Sequence, residues 1–207
     1  MIVSMWCLLL AFTMNAQDMK GLDFISPFHD GYAAIQKGEK WAFIDKTGKL
    51  VVDFRNDLVV ATSAKMECCS MEKDANYPIF SDDRSLVKVV KDGIVHYGYI
   101  DSEGKMTIDS GFINATHFHD GHAIVLKIHK ENLGRNDVLG KNMVSYKYTE
   151  VVIDPSGSVV KHLRGPFNLL YSEKHMKNPP VIMSRFIAPG LIAVKGESGT
   201  QKILAVN

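Results

Sequence analysis

Short apolar runs rich in Val, Ile, Phe and Tyr follow one another along the chain, and polar segments that contain Gly and Asp separate them. These apolar residue types are enriched in β-strands, and Gly together with Asp is typical of tight turns. Apolar runs of this length between turn signals predict strands rather than helices. We therefore expect an all-β fold built from antiparallel hairpins and meanders.

One unit of this pattern occurs three times, at residues 43–52, 99–108 and 152–160. It consists of an apolar run, the pattern Asp-x-x-Gly, a polar residue and a second apolar run. An Asp that begins a turn accepts hydrogen bonds from the backbone N–H groups that follow, and a Gly that ends it adopts positive φ without strain. The unit predicts a hairpin loop that the Gly closes with a bulge. The predicted turn residues are Asp45 and Gly48, Asp101 and Gly104, and Asp154 and Gly157.

A second motif comes before these turns. Residues 28–35 and 118–125 share Phe, His, Asp, Gly and Ala at the same offsets, and Asp-Gly ahead of an apolar run predicts a turn that leads into a strand. A full repeat is then strand, short polar turn, strand, Asp-x-x-Gly turn and strand, with the polar turn at 37–40 in the first repeat and 91–93 in the second. One such unit cannot bury its apolar face alone, so neighbouring units must stack or pair.

These residues resemble the WG-repeat family, whose pattern is Phe-x-x-Gly-x-Ala-x-Val, then Gly-Lys-Trp-Gly-Tyr-Ile-Asp, then x-x-Gly-Lys. The middle block is matched by Lys-Trp-Ala-Phe-Ile-Asp at 40–45 and by Tyr-Gly-Tyr-Ile-Asp at 97–101, whereas the third repeat has Glu150 and Val151 at the signature pair. We place the repeats at about 28–54, 80–110, 118–161 and, in part, 186–207, within a repeat domain of residues 18–207. The fourth is expected to stop short of any Asp-x-x-Gly turn. The signature positions are Phe28, Gly31, Trp41, Phe80, Gly98, Phe118 and Gly121.

The resemblance implies an interaction module without a shared catalytic motif, so we expect no catalytic residue and no cofactor. The array is expected to be an open solenoid-like or partial propeller-like arrangement. Trp41 and Phe43 are expected to share one face and to pack within or between repeats. Insertions in repeat proteins often carry binding, which draws attention to residues 55–78, 129–147 and 162–183. We expect 129–147 to extend one hairpin and Asn-Pro-Pro at 178–180 to favour an extended linker over a helix.

The N-terminal segment has the features of an export signal. Residues 1–16 contain no charged side chain, the apolar run 2–12 is too short to span a bilayer, and Ala16 offers a small residue for cleavage. We predict a signal peptide at 1–17; the alternative is a buried N-terminal strand or helix. The remaining chain is then periplasmic, cell-surface or secreted, with no stable membrane insertion.

Charge and cysteine content narrow the possible partners. Lys and Arg number 24 against 23 Asp and Glu, and this balance argues against a nucleic-acid partner. We expect the binding partner to be a protein or an envelope component. Cys7 would leave with the signal, and the adjacent Cys68 and Cys69 could bridge each other only with strain. Two free thiols in a loop are predicted, with an intermolecular bridge or a soft-metal contact as alternatives.

A histidine cluster offers a competing hypothesis. His117, His119 and His122 lie within six residues of one another, and imidazoles suit zinc or copper. However, His119 corresponds to His29, which has no histidine neighbours, and the turn is expected to be exposed to solvent. We therefore expect no metal site. The alternative is a metal-dependent or thiol enzyme that uses this cluster.

Overall fold

The computed structural model of the chain describes residues 19–61, 76–136, 140–196 and 199–206. Within these residues the strands form three antiparallel sheets, and none of them closes into a barrel. The all-β fold predicted from the sequence is therefore confirmed. The elements are β1 (Phe24–Ile25), β2 (Tyr32–Lys37), β3 (Lys40–Asp45), β4 (Leu50–Arg55), β5 (Phe80–Ser81), β6 (Arg84–Lys91), β7 (Ile94–Ile100), β8 (Met106–Ala115), β9 (Ala123–Asn136), β10 (Lys141–Ile153), β11 (Val159–Asn168), α1 (Glu173–Met176), β12 (Ser184–Ala188), β13 (Leu191–Lys195) and β14 (Gln201–Ala205).

The predicted meander occurs in successive copies along the chain. Copy 1 contains β2, β3 and β4, copy 2 contains β6, β7 and β8, and copy 3 contains β9, β10 and β11. Copy 4 contains β13 and β14, which follow β12. The sheets are β1–β4, β5–β11 and β12–β14, each in chain order. Copies 2 and 3 share one sheet because β8 pairs with both β7 and β9.

A bulge in β8 lets this strand serve two copies. Tyr99 pairs with Ile108, so a regular ladder would pair Tyr97 with Ser110. Tyr97 pairs with Phe112 instead, so β8 carries extra residues between these pairs. A bulge bends its strand and increases the local twist. The first half of β8 therefore completes copy 2, and its last residues pair with β9 of copy 3, as Ala115 does with Val125.

The copies pack against one another through the two faces of each sheet. In β6, Val87 lies in an apolar cluster with copy 1, whereas its neighbour Leu86 lies in a cluster with copy 3. Successive side chains of a strand point to opposite faces, which produces this alternation. The same alternation occurs in copy 3, where Ala123 packs with copy 2 and its neighbour Ile124 packs with copy 4. The prediction that neighbouring units cover each other's apolar faces is confirmed.

A short lead-in segment precedes each copy and pairs with its first strand. The backbone N–H of Ser26 donates to the carbonyl of Ala34 in copy 1, and Val59 donates in the same way to Leu86 in copy 2, each at 2.9 Å. Residues 57–61 therefore belong to copy 2, and the insertion predicted at 55–78 is shorter than expected. Residues 62–75, which include Cys68 and Cys69, lie outside the described residues.

The connection from copy 3 to copy 4 is not the extended linker that the sequence predicts. Strand β11 continues to Asn168, and helix α1 follows before the Asn-Pro-Pro segment. The prolines come after the helix, where they end it rather than prevent it. Met176 of α1 and Leu169 are buried in a cluster with Ile94 of copy 2, so the connection packs back onto the array.

The predicted signal peptide at 1–17 lies outside the described residues. Within the part of the chain that the structure describes, no helix has the length and apolar character needed to cross a membrane.

Candidate functional site

The Asp-x-x-Gly turns have the predicted geometry. Oδ1 of Asp45 accepts hydrogen bonds from the backbone N–H groups of Thr47 and Lys49 at 2.8 and 3.0 Å. Gly48 has a φ of 79° and donates its N–H to the carbonyl of Asp45 at 3.0 Å. The turns that begin at Asp101 and Asp154 make the same backbone bonds. Each carboxylate is thus engaged by its own turn, in agreement with a structural role.

Two of these aspartates receive an additional hydroxyl bond. Oγ1 of Thr47 donates to Asp45 and Oγ of Ser156 donates to Asp154, both at 2.6 Å. These hydroxyl bonds are the largest cause of a lowered pKa at both aspartates, because they stabilise the carboxylate form. The charged acceptor that each turn needs is therefore retained at mildly acidic pH.

Copy 4 contains a turn that the sequence analysis missed. Gly196 donates its N–H to the carbonyl of Thr200 at 2.7 Å, and Gly199 donates to Gly196 at 3.1 Å with a φ of 81°. These are the backbone bonds of the Asp-x-x-Gly turns, with Gly in place of Asp. The turn joins β13 to β14, the place that the polar turns 37–40 and 91–93 hold in copies 1 and 2, so it does not contradict the expectation that the fourth copy stops short of an Asp-x-x-Gly turn.

Copies 1 to 3 each begin with a tight turn, which we call the opening turn: residues 29–32, 81–84 and 119–122. Both central residues of each have positive φ, for example 48° at Asp30 and 89° at Gly31. These values are typical of a type I′ hairpin turn, which selects Asp, Asn and Gly. Copy 2 has Asp83 in place of the Gly and still adopts a φ of 55°.

The opening turns are joined to one another by aspartate side chains. Oδ2 of Asp30 accepts the backbone N–H of Asp82 at 3.1 Å, and Oδ2 of Asp82 accepts the N–H of Gly121 at 2.8 Å. Each carboxylate thus holds the opening turn of the next copy. The sequence analysis missed this ladder, although Asp follows the opening Phe by two residues in all three copies. Copy 4 has Pro189 in its turn, which has no N–H to donate.

Aromatic side chains form the apolar part of the same junctions. The rings of Phe43 and Phe80 meet edge to face at 4.5 Å, and those of Tyr99 and Phe118 do so at 4.8 Å. The hydroxyl of Tyr99 donates to a carbonyl of the lead-in segment at 2.7 Å, and complete burial raises its pKa. Trp41 and Phe43 lie in one cluster between copies 1 and 2, so the prediction that they share a face is confirmed.

The three histidines of the candidate metal cluster make separate contacts. Nε2 of His119 lies 3.0 Å from a carboxylate oxygen of Asp120, and its ring packs 5.7 Å from that of Phe186. Nδ1 of His122 bonds the Asp120 carbonyl at 2.9 Å. His117 is buried, so the expectation of a solvent-exposed turn is wrong for it. Among the described residues no group of three His, Cys, Asp or Glu side chains is placed to hold a metal ion.

The hairpin of β9 and β10 extends beyond the repeat, as predicted. Its pairing runs from Ala123 with Ile153 out to Asn136 with Lys141. The side chains near the array are buried, whereas those of residues 129–135 and 141–144 are exposed. We call residues 129–135 and 140–147 the arm.

The arm combines apolar and cationic side chains on an exposed surface. Leu133, Met143 and Val144 are all exposed near its end. Lys147 pairs with Glu131 at 2.8 Å. The other cations on the arm form no ion pair with another described residue: Lys130, Arg135 and Lys141. This mixture of exposed apolar and cationic side chains makes the arm the best candidate for a binding surface.

The repeat is similar to a known protein family. A family model described as WG containing repeat matches residues 22–41 and 97–127. The chain contains WG repeats. The first match covers β1 and β2 and reaches Trp41, and the second runs from the Tyr97-Gly98 pair through β8 into copy 3. Neither a search of curated proteins nor a search of solved structures finds a match.

The Gly of the WG signature has a steric cause in copy 2. A Cβ atom on Gly98 would lie 2.7 Å from the carbonyl oxygen of Ile108 and 2.8 Å from the backbone nitrogen of Ser110. Both belong to the bulged part of β8, which passes directly over the glycine. The signature Gly of copy 2 therefore makes room for the backbone of the next strand. In copy 1 the bulge lies at the same place but is one residue shorter, since Trp41 and Phe43 pair with Arg55 and Val52, and Ala42 is accommodated.

Copy 3 departs most from the WG signature, and its departure has a function in the fold. Glu150 occupies the Trp position and is almost completely buried. Its Oε1 accepts the backbone N–H of Ser184 at 2.7 Å, and its Oε2 lies 3.4 Å from Arg164 Nη1. Ser184 begins β12, so this carboxylate fastens the strand that leads into copy 4. The identity of Glu150 at a signature position was visible in the sequence, but its partner was not.

Proposed function

We propose that this chain is an exported binding or scaffolding module that engages a protein or envelope component through the arm, and that it is not an enzyme. The observation that carries the proposal is a difference in burial between the repeat signature and the arm. The signature aromatic side chains Trp41, Phe80 and Phe118 pack between copies, whereas Leu133, Met143 and Val144 of the arm are exposed.

The composition of the arm supports a macromolecular partner. Met and Arg are enriched in protein interfaces, and a compact apolar group surrounded by polar side chains is the usual anatomy of a binding surface. The arm carries both kinds of side chain along one exposed hairpin, the apolar Leu133, Met143 and Val144 and the cationic Arg135 and Lys141.

The binding experiment compares three forms of the purified protein against an envelope extract. The arm variant carries Leu133→Ser, Met143→Ser and Val144→Thr, and the control carries Val90→Ser and Val160→Ser, two exposed positions outside the arm. A component captured by the wild type is purified, and its affinity is measured by calorimetry. We expect the arm variant to bind at least about tenfold more weakly than the control. Equal affinity of both variants would contradict a role for the arm.

Export is tested separately. The uncharged apolar run 2–12 and the small residue at the predicted cleavage position support it. Mass spectrometry of the protein isolated from its native cells should find an N-terminus near residue 18 in the envelope or medium fraction. An intact N-terminus in the cytoplasmic fraction would refute export and leave the arm proposal standing.

A further inference from the structure

The first copy presents an aromatic side chain that lacks the covering found in later copies. Phe80, Phe118 and Phe186 are the opening phenylalanines of copies 2, 3 and 4, and each is 1% exposed because it packs on the copy before it. Phe28 is the corresponding residue of copy 1 and is 49% exposed. Ile25 in the lead-in strand of copy 1 is also exposed. The start of the array therefore displays an apolar group of the kind that, elsewhere in the chain, joins two copies.

Copy 4 presents the complementary position. Phe43 pairs across the strands with Ala34, and Ile203 of copy 4 pairs in the same way with Ala193. Phe43 is covered by Phe80 of the next copy, but Ile203 is 65% exposed. The equivalent residues of copies 2 and 3, Tyr99 and Val152, are completely buried.

An open groove lies on this same face of copy 4. It has a volume of about 520 Å³ and is lined by Met183, Arg185, Ala193, Lys195 and Gln201. Phe186, Ile192 and Val194 point to the other face, where they pack against copy 3. The groove is thus on the side where copies 1 to 3 each receive the copy that follows.

We propose that copy 1 of one molecule binds copy 4 of another, so that Phe28 of the first molecule packs on Ala193 and Ile203 of a second molecule of this chain. The contact repeats, from molecule to molecule, one part of the junction that joins copies within the chain, namely the opening phenylalanine on the strand pair of another copy. Because the two surfaces differ, the association is head to tail and can extend beyond two molecules. Ala33 and Ile35 of copy 1 are already buried, so the contact is confined to Phe28 and Ile25 and is weak and reversible.

This inference goes beyond the proposed binding function, since it uses the ends of the array and not the arm. The test uses two single variants, Phe28→Asp and Ile203→Asp, in sedimentation velocity over a range of protein concentrations. Val90→Asp is a matched control, because Val90 is also a strand residue and is also 65% exposed. Thermal unfolding verifies that all variants are folded.

We expect the average mass of the wild type and of Val90→Asp to rise with concentration, and each end variant alone to stay monomeric, with at least about tenfold weaker association. An equimolar mixture of the two end variants should form a complex of two molecules, because each retains the surface that the other lacks. The arm variant should associate as the wild type does.

Three results would overturn the proposal. A wild type that stays monomeric at all concentrations excludes self-association. An end variant that still pairs with itself indicates a symmetric contact in place of the head-to-tail one. A mixture that stays monomeric shows that Phe28 and Ile203 do not meet.

Discussion

Oδ2 of Asp82 in copy 2 accepts the backbone N–H of Gly121 in copy 3 at 2.8 Å, across 39 residues of sequence. Asp82 itself has a φ of 53°, so one residue both forms its own opening turn and holds the next. The ladder from Asp30 through Asp82 therefore links the opening turns of copies 1 to 3.

Replacing Asp82 should weaken this junction. In Asp82→Ala the N–H of Gly121 loses its acceptor, and Ala tolerates positive φ less well than Asp, so we expect a loss of about 1–3 kcal/mol in the free energy of unfolding. Asp82→Asn keeps an acceptor oxygen and tolerates positive φ. Its free energy of unfolding should therefore fall by less than half as much as that of Asp82→Ala. Urea unfolding monitored by fluorescence gives both values, and an Asn variant as unstable as the Ala variant would argue against the hydrogen bond.

Gly104→Val should destabilise the protein more than Lys105→Ala. Gly104 has a φ of 77°, which a β-branched residue adopts only with strain, so we expect a cost of about 2 kcal/mol or more. Lys105 contributes its backbone N–H to the turn, which Ala also provides, so that change should stay within about 0.5 kcal/mol. Thermal denaturation compares them, and equal melting temperatures would refute the turn assignment.

Gly98→Ala tests the steric origin of the WG signature. The added Cβ would meet the carbonyl of Ile108 at 2.7 Å, so β8 must shift, at a cost of about 1–3 kcal/mol. Gly111 is a matched control within the same bulge region, because its Cβ would have no neighbour closer than 3.9 Å. Neither glycine requires positive φ. Chemical denaturation should therefore separate Gly98→Ala from Gly111→Ala, and similar losses in both would contradict the close approach.

Glu150→Ala should loosen copy 4 specifically. The change leaves the Ser184 N–H and the Arg164 guanidinium without their buried carboxylate, which costs about 3 kcal/mol or more. Glu150→Gln retains an acceptor for the N–H and should lose less. Hydrogen exchange measures the result by region: we expect faster exchange in β12 and β13 and unchanged protection in β6 and β7. Uniform loss of protection throughout the array would argue against a local fastening role.

The sequence predicts best what depends on neighbouring residues. The bonds of Asp45 to Thr47 and Lys49 span four positions, so residue types and spacing suffice to predict them. The long β9–β10 hairpin is predictable for the same reason, since its strands are adjacent in the chain. The turn at Gly196 was missed because it makes the same backbone bonds without the Asp that identifies the others.

Contacts between copies are not predictable in this way. The partner of Asp82 lies 39 residues away, and the partner of Glu150 lies 34 residues away across a connection whose path the sequence does not reveal. The bulge that makes Gly98 necessary depends on how β8 divides itself between two copies. His117 is buried too, although the local pattern around it is that of an exposed turn.

The central claim is that the aromatic positions of the WG repeats join one copy to the next. A double-mutant cycle on Phe43 and Phe80, whose rings meet at 4.5 Å, tests it most directly. The free energies of unfolding of Phe43→Leu, Phe80→Leu and the double variant are measured by urea denaturation. The account predicts a coupling energy of about 0.5–1.5 kcal/mol between the two positions. Strictly additive losses would contradict it.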